Sequence, residues 1–131
     1  MTTKDEILHR FGKALAEECF DPCLLYVEAL RTMKKPFRSF EPDASYIQNL
    51  EENDYNNLMK FIPQILVIQL SNLLGMIESS EEFAIFHLEG NVKTNLLEIS
   101  EMLSGEASTE YGWIAKFSKV LKDDQRIPPL L

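Results

Sequence analysis

Apolar residues recur along most of this chain at the three- and four-residue spacing of amphipathic helices. The first such run covers residues 4–19 and follows a capping box, in which the Thr3 hydroxyl and the Glu6 carboxylate each accept a hydrogen bond from the other residue's backbone amide. Asp21-Pro22 then predicts a break, because aspartate caps a helix well and proline suits the first helical position. A second helix is therefore predicted to start at Pro22.

The centre of the chain is its most apolar part. Residues 37–44 are expected to form a loop, and a capping box at Ser45 predicts a short helix that ends near residue 53. Pro63 should kink or restart the helix that follows. Between residues 63 and 77, apolar side chains cover most of the helix circumference. This helix should therefore be buried by its neighbours or by a second subunit.

The last third of the chain contains an ambiguous segment, because Phe83–Leu88 is compatible with a helix or a strand. No second strand-like run is evident to pair with it, and a helix is therefore predicted. After a break at Gly90-Asn91, residues 92–105 have helical spacing, with Met102 on the apolar face. A final helix is predicted from about Glu110 to Lys122.

Together these runs predict an all-α fold, a compact bundle of about five to six helices around the central apolar helix at about 63–77. The 131 residues are a usual length for one domain, and a single helical domain covering residues 1–131 is predicted. Folding should bury about two-thirds of the surface of the unfolded chain, so that neither a disulfide nor a structural metal is required.

The cysteines and the first residues indicate a cytoplasmic protein. Cys19 and Cys23 are too few for a disulfide framework, and the Asp21-Pro22 break should place them on separate helices as buried, reduced thiols. The first ten residues lack the apolar core of a signal peptide. Pro63 and several polar residues interrupt the apolar stretch, so no membrane span is predicted.

Acidic residues are concentrated in the middle of the chain. The net charge is −8, and residues 41–110 contain thirteen acidic and two basic side chains. Such a region repels phosphate backbones, so direct nucleic-acid binding is not expected, whereas a basic protein would be attracted to it. The carboxylates are expected to gather on one face when the helices pack. The candidate partner-binding residues are Glu51, Glu52, Asp54, Tyr55, Glu78, Glu81, Glu82, Glu98 and Glu101.

No run of residues specifies a reaction, a cofactor or a metal site. A zinc site needs about four ligands and would have to combine both cysteines with His9 and His87 from distant parts of the chain. Glu6-x-x-His9 is one element of a di-iron helical bundle, but the second copy that such a bundle requires is missing from the sequence. We therefore predict no enzyme, no cofactor and no metal site.

Two pairs of glutamates leave a metal-dependent nucleotide hydrolase as a less favoured alternative. Glu78 with Glu81, and Glu98 with Glu101, would lie on adjacent turns of helices. Such pairs can hold Mg²⁺, as in all-helical nucleotide pyrophosphatases. The basic residues that would bind substrate phosphates are scarce around them, since Lys93 is the one base between Lys60 and Lys116.

In overall character the chain is similar to many small bacterial immunity and inhibitor proteins, which are acidic, cytosolic and helical and lack a catalytic motif. The resemblance rests on composition and assigns no residues. It implies a module that binds and blocks a basic protein such as a nuclease toxin, with carboxylates around an aromatic anchor such as Tyr46, Tyr55 or Phe86. The alternative is a homodimeric structural or adaptor subunit, in which a second copy covers the excess apolar surface of residues 63–77.

Overall fold

The computed structural model describes residues 2–34, 41–109 and 112–121, and helices occupy most of them. The N-terminal half comprises α1 (Lys4–Ala14), a π-helical segment (Leu15–Phe20), α2 (Asp21–Thr32), α3 (Glu41–Asn49) and α4 (Glu52–Ser79). The C-terminal part comprises β1 (Phe86–Glu89), β2 (Val92–Asn95), α5 (Leu96–Ile99), a 3₁₀ turn (Leu103–Gly105) and α6 (Trp113–Phe117). The prediction of a mostly all-α fold with a long central helix is confirmed.

The N-terminal helices are continuous rather than broken. The predicted capping box begins α1, since the Glu6 amide donates to the Thr3 hydroxyl at 3.2 Å and the Thr3 amide donates to the Glu6 carboxylate at 3.4 Å. The predicted break at Asp21-Pro22 is wrong, because Asp21 has helical dihedral angles and the π-helical segment leads directly into α2. Pro22 lies in the first turn of α2, directly after the π-helical segment, where its fixed φ suits a helix.

The main core lies where α1, the π-helical segment, α2, α4 and α6 meet. The indole of Trp113 packs directly on the backbone of α1, since a Cβ atom added at Gly12 would overlap the ring. Phe11 meets the same indole edge to face, with ring centroids 5.4 Å apart. The most deeply buried large side chains of this core are Phe20, Leu24, Val67, Leu74, Leu96, Leu103 and Ile114.

Two helix ends cap each other where α2 meets α3. The Arg31 guanidinium donates to the carbonyls of Ile47 and Leu50 at 2.5 and 2.8 Å. In return, the Gln48 side chain donates to two carbonyls at the end of α2 at 2.9 and 2.7 Å. Carbonyls at a helix C-terminus have no partner within the helix, so these side chains satisfy them. The same guanidinium lies over the Tyr55 ring at 4.5 Å, which ties both helices to the start of α4.

The helix α3 begins earlier than predicted. Residues 41–44, which were expected in a loop, form its first turn, and the predicted start at Ser45 is therefore wrong. Glu41 and Asp43 lie in that turn, where carboxylates interact favourably with the helix dipole. Residues 37–40 of the predicted loop lie outside the described residues.

Residues 86–95 form a β-hairpin in place of the predicted helices. The strands β1 and β2 are antiparallel, and Glu89 pairs with Val92 across a two-residue turn. Gly90, the first residue of that turn, has φ of +59°, a conformation that glycine adopts without steric cost. The single helix expected over residues 92–105 is replaced by β2, α5 and the 3₁₀ turn.

The C-terminal helix α6 is shorter than the predicted helix from Glu110 to Lys122, whose two end residues lie outside the described part of the chain. Its end is fixed by the buried carboxylate of Asp21, which accepts hydrogen bonds from the Ser118 hydroxyl at 2.5 Å and the Lys119 amide at 2.9 Å. These two bonds turn the chain away from the helix and attach it to the start of α2.

The helix α4 continues through Pro63, so the predicted restart at this residue is wrong. Its 28 residues correspond to a length of about 42 Å. Its buried residues are Met59, Pro63, Val67 and Leu74, which lie along one side. The other described elements therefore cover one side of the central helix and leave the other side exposed.

Gly12→Ala should lower the free energy of unfolding by about 1–3 kcal/mol, because the added methyl group overlaps Trp113 and overpacking outweighs a gain in helix propensity of about 1 kcal/mol. Gly75→Ala is the matched control, since its Cβ would meet the Ser104 Cβ at an ordinary 3.5 Å. Urea unfolding followed by circular dichroism compares the two variants. Equal stability of both would contradict the packing of Trp113 on α1.

Candidate protein-binding surface

The nine candidate partner-binding residues lie in two groups at opposite ends of α4. Glu52 is the first residue of this helix and Glu78 lies in its last turn. At a rise of 1.5 Å per residue, they are about 39 Å apart. The expectation that the carboxylates share one face within the chain is therefore wrong, and each group has to be considered by itself.

The group at the N-terminal end of α4 contains three exposed carboxylates, Glu51, Glu52 and Asp54. Their position is favourable for the helix itself, because negative charge stabilises a helix N-terminus. Tyr55 is half-buried beneath the Arg31 guanidinium. Burial is the main cause of a raised pKa for the Tyr55 phenol. The structure thus gives Tyr55 a packing role that its assignment to a binding site did not anticipate.

The group at the C-terminal end contains one carboxylate that is already bound within the fold. Glu78 accepts hydrogen bonds from the Leu103 amide at 2.6 Å and from the Ser104 amide and hydroxyl at 3.4 and 2.9 Å. These bonds attach the 3₁₀ turn to the last turn of α4. The assignment of Glu78 to partner binding is therefore corrected to a structural role.

Two backbone contacts place the segments that carry the remaining carboxylates of this group near the end of α4. Leu103 is held against Glu78 as described, which places residue 101 near the end of α4. The Leu96 amide donates to the Ile85 carbonyl at 2.9 Å, which places α5 beside the segment that follows α4. The four exposed carboxylates at this end are Glu81, Glu82, Glu98 and Glu101.

Exposed apolar side chains accompany these carboxylates, and the sequence analysis missed them. Phe83 and Met102 are each 62% exposed and Leu97 is 37% exposed, and each is next in sequence to a glutamate. Met102 was predicted to face inward on a helix that does not form. The combined set is called the acidic–apolar surface below and consists of Glu81, Glu82, Phe83, Leu97, Glu98, Glu101 and Met102.

The other proposed anchors lie elsewhere. Phe86 is exposed on β1, on the same face of the hairpin as Leu88 and Lys93. Tyr46 is exposed on α3, which packs against α2. Phe83 and Met102 are therefore better placed than Tyr46 to act together with the four carboxylates.

The negative charge of the acidic–apolar surface is not neutralised by any described ion pair. Within residues 2–34, 41–109 and 112–121, the ion pair present joins Lys119 to Glu17 at 3.1 Å. Nearby on the hairpin, hydrogen bonding from Thr2 lowers the pKa of Glu89, so this carboxylate also stays ionised into the acid range. The end of the molecule that contains the C-terminal group therefore presents mostly uncompensated negative charge.

In the described part of the chain, no group of three or more His, Cys, Asp and Glu side chains could hold a metal ion. The predicted glutamate pairs do not lie on adjacent helix turns, because α4 ends at Ser79 before Glu81 and α5 ends at Ile99 before Glu101. His9 instead packs edge to face against Phe117, with ring centroids 4.6 Å apart.

The two cysteines are placed differently from the prediction. Cys19 and Cys23 are both exposed, and the Cys23 thiol donates to the Cys19 carbonyl at 3.5 Å. They lie one turn apart because the helical backbone continues through Asp21-Pro22. The expectation of buried thiols on two separate helices is therefore wrong.

By length and composition alone, α4 is sufficient to cross a membrane. Its sequence also includes the amides Gln64, Gln69 and Asn72, two of which are exposed. A hydrocarbon environment would leave such amides without hydrogen-bond partners.

Comparison of the chain with protein-family models, with curated proteins and with solved structures finds no match. Its function is therefore argued from its own surface and chemistry.

Glu78→Gln should lower the free energy of unfolding by about 1 kcal/mol, because the Leu103 and Ser104 amides then bond to a neutral oxygen, a weaker acceptor than the carboxylate. Glu81→Gln removes the same charge three residues later and should change stability by less than about 0.5 kcal/mol. Urea unfolding of both variants separates a structural carboxylate from an exposed one. A stable Glu78→Gln variant would return this residue to the candidate binding residues.

Proposed function

We propose that this protein is a small protein-binding module that binds and blocks a basic protein, such as a nuclease toxin, through its acidic–apolar surface. The observation that supports the proposal is the occurrence of exposed carboxylates together with exposed apolar side chains at one end of α4. Four exposed carboxylates without a described cationic partner lie on the same segments as three exposed apolar side chains. In this proposal the module acts in the cytoplasm, has no catalytic activity and requires no cofactor.

The apolar side chains would supply most of the binding energy. Burying the exposed part of a side chain such as Phe83 contributes about 2–3 kcal/mol at about 25 cal/mol per Å². Interfaces depend on a few such anchors, which lie in the dry centre of the contact. Phe83 and Met102 are the best exposed of the candidates on this surface.

The carboxylates would select the partner. Exposed charges accelerate the encounter with an oppositely charged protein and exclude partners of like charge. A protein that acts on nucleic acid places lysine and arginine side chains where the phosphates bind. Carboxylates at Glu82 and Glu101 can occupy the same positions as those phosphates, so that binding of the module and binding of nucleic acid would exclude each other.

The test begins with capture of a partner from an extract of the source cells, using the tagged full-length chain, followed by titration with the purified partner. The double variant Glu82→Lys/Glu101→Lys should weaken binding at least about tenfold, because it reverses the charge beside both anchors. The association rate with the wild-type chain should fall as salt rises from about 0.05 to about 0.5 M. The partner should be basic, and its activity on nucleic acid should decrease when the module is added.

The matched control is Glu18→Lys/Glu41→Lys, which changes the net charge equally at two exposed residues outside both acidic groups. This control should retain most of the affinity. An acidic partner, an equal loss of binding in both double variants, or a partner whose activity is unaffected by the module would each overturn the proposal.

A further inference from the structure

The side of α4 that faces away from the core bears an apolar stripe. Its apolar side chains are between 37% and 57% exposed, and Gln69 and Asn72 lie among them. Spacings of three, four and eight residues place Phe61, Ile65, Ile68 and Met76 along one side of the helix. The α4 stripe is defined as Phe61, Ile65, Ile68, Gln69, Asn72, Leu73 and Met76.

The exposed area of the stripe matches that of a stable interface. A fully exposed side chain of this size has about 200 Å², so the apolar part of the stripe exposes roughly 500 Å². This area is in the upper part of the range for the largest apolar patch on a monomeric protein, and such patches are often functional. Interfaces are about 60% apolar, so the stripe with its polar rim corresponds to roughly 800 Å² per copy, the standard size for a stable complex.

The near absence of charge along α4 favours a second copy of the chain as the partner that covers the stripe. Lys60 is the one charged residue of the helix between Tyr55 and Ile77, so the stripe offers no carboxylate to a basic partner. For a chain of net charge −8, most other faces would repel a second copy. We infer that the α4 stripe binds the α4 stripe of a second copy, with the two helices antiparallel.

The antiparallel arrangement follows from the order of side chains along the stripe. If a twofold axis crosses α4 near Ile68, a stripe residue before the axis in one copy lies opposite a stripe residue after the axis in the other copy. Phe61 then packs against Met76 of the second copy, a favourable contact between an aromatic ring and a thioether. The same axis places Ile68 near its own symmetry mate. Antiparallel helices also oppose their dipoles, whereas parallel helices would align them.

The mass of the protein in solution tests this inference. Sedimentation equilibrium should show a species of twice 15.1 kDa. Ile68→Glu should raise the dissociation constant at least about tenfold, because it brings two carboxylates together at the twofold axis. The matched control is Leu25→Glu on α2, where an equally large side chain is 49% exposed, and this variant should remain dimeric. Circular dichroism verifies that both variants are folded.

Cysteine pairing tests the orientation. In a chain with Cys19→Ser and Cys23→Ser, the Phe61→Cys and Met76→Cys variants are mixed and oxidised. The antiparallel pair should yield a mixed disulfide, since residues 61 and 76 lie opposite each other within the reach of about 6 Å between Cα atoms. Phe61→Cys alone should stay reduced, because the two copies of residue 61 would be roughly 20 Å apart along the helix axis.

Several results would overturn the inference. These are a wild-type chain that remains monomeric at about 100 μM, a dimer that survives Ile68→Glu, and disulfide formation by Phe61→Cys alone. Binding of a monomeric chain to phosphatidylcholine vesicles would show that a lipid surface is the occupant instead. The inference is independent of the proposed function, since Glu82→Lys/Glu101→Lys should remain dimeric even if no basic partner is found.

Discussion

The length of α4 determines most of what is exposed on this molecule. A helix of about 42 Å is longer than the diameter of about 36 Å expected for a compact domain of 131 residues. The other elements therefore pack along one side of it, with Met59, Pro63, Val67 and Leu74 facing them. The described elements leave the far side of the helix uncovered, and its apolar residues there are exposed.

Polar contacts at the two ends of α4 hold the other elements in position along it. Near the start, Arg31 joins the end of α3 to Tyr55, and near the end, Glu78 binds the 3₁₀ turn. The hydrogen bonds of both contacts satisfy backbone groups that folding would otherwise leave without partners. Arg31 in addition packs over the Tyr55 ring. The two contacts also give Tyr55 and Glu78 structural roles within the fold. The carboxylates that remain exposed are thus selected by the fold, and charge alone does not identify them.

Local signals in the sequence were sufficient for part of this structure. The capping box of Thr3 and Glu6 and the periodicity of the long helix depend on neighbouring residues, and both are observed. The hairpin was missed because β2 consists of Val-Lys-Thr-Asn, which becomes a strand through pairing with β1 and has little apolar alternation of its own. The sequence also could not tell which side of α4 would be covered, because Ile65 and Val67 are equally apolar although the first is exposed and the second fully buried. Likewise, a count of carboxylates between residues 41 and 110 contains no information about the 28-residue helix that separates them.

The distribution of charge along α4 relates the α4 stripe to the acidic–apolar surface. Between Tyr55 and Ile77 the helix is almost uncharged, so its carboxylates are restricted to the two ends. In an antiparallel pair, the N-terminal group of one copy, Glu51, Glu52 and Asp54, would lie beside the acidic–apolar surface of the other. Each end of the pair would then combine both acidic groups, which are about 39 Å apart in one chain. The repulsion among these carboxylates would weaken such a pair at low salt, whereas the apolar contact along the stripe would not depend on salt in this way.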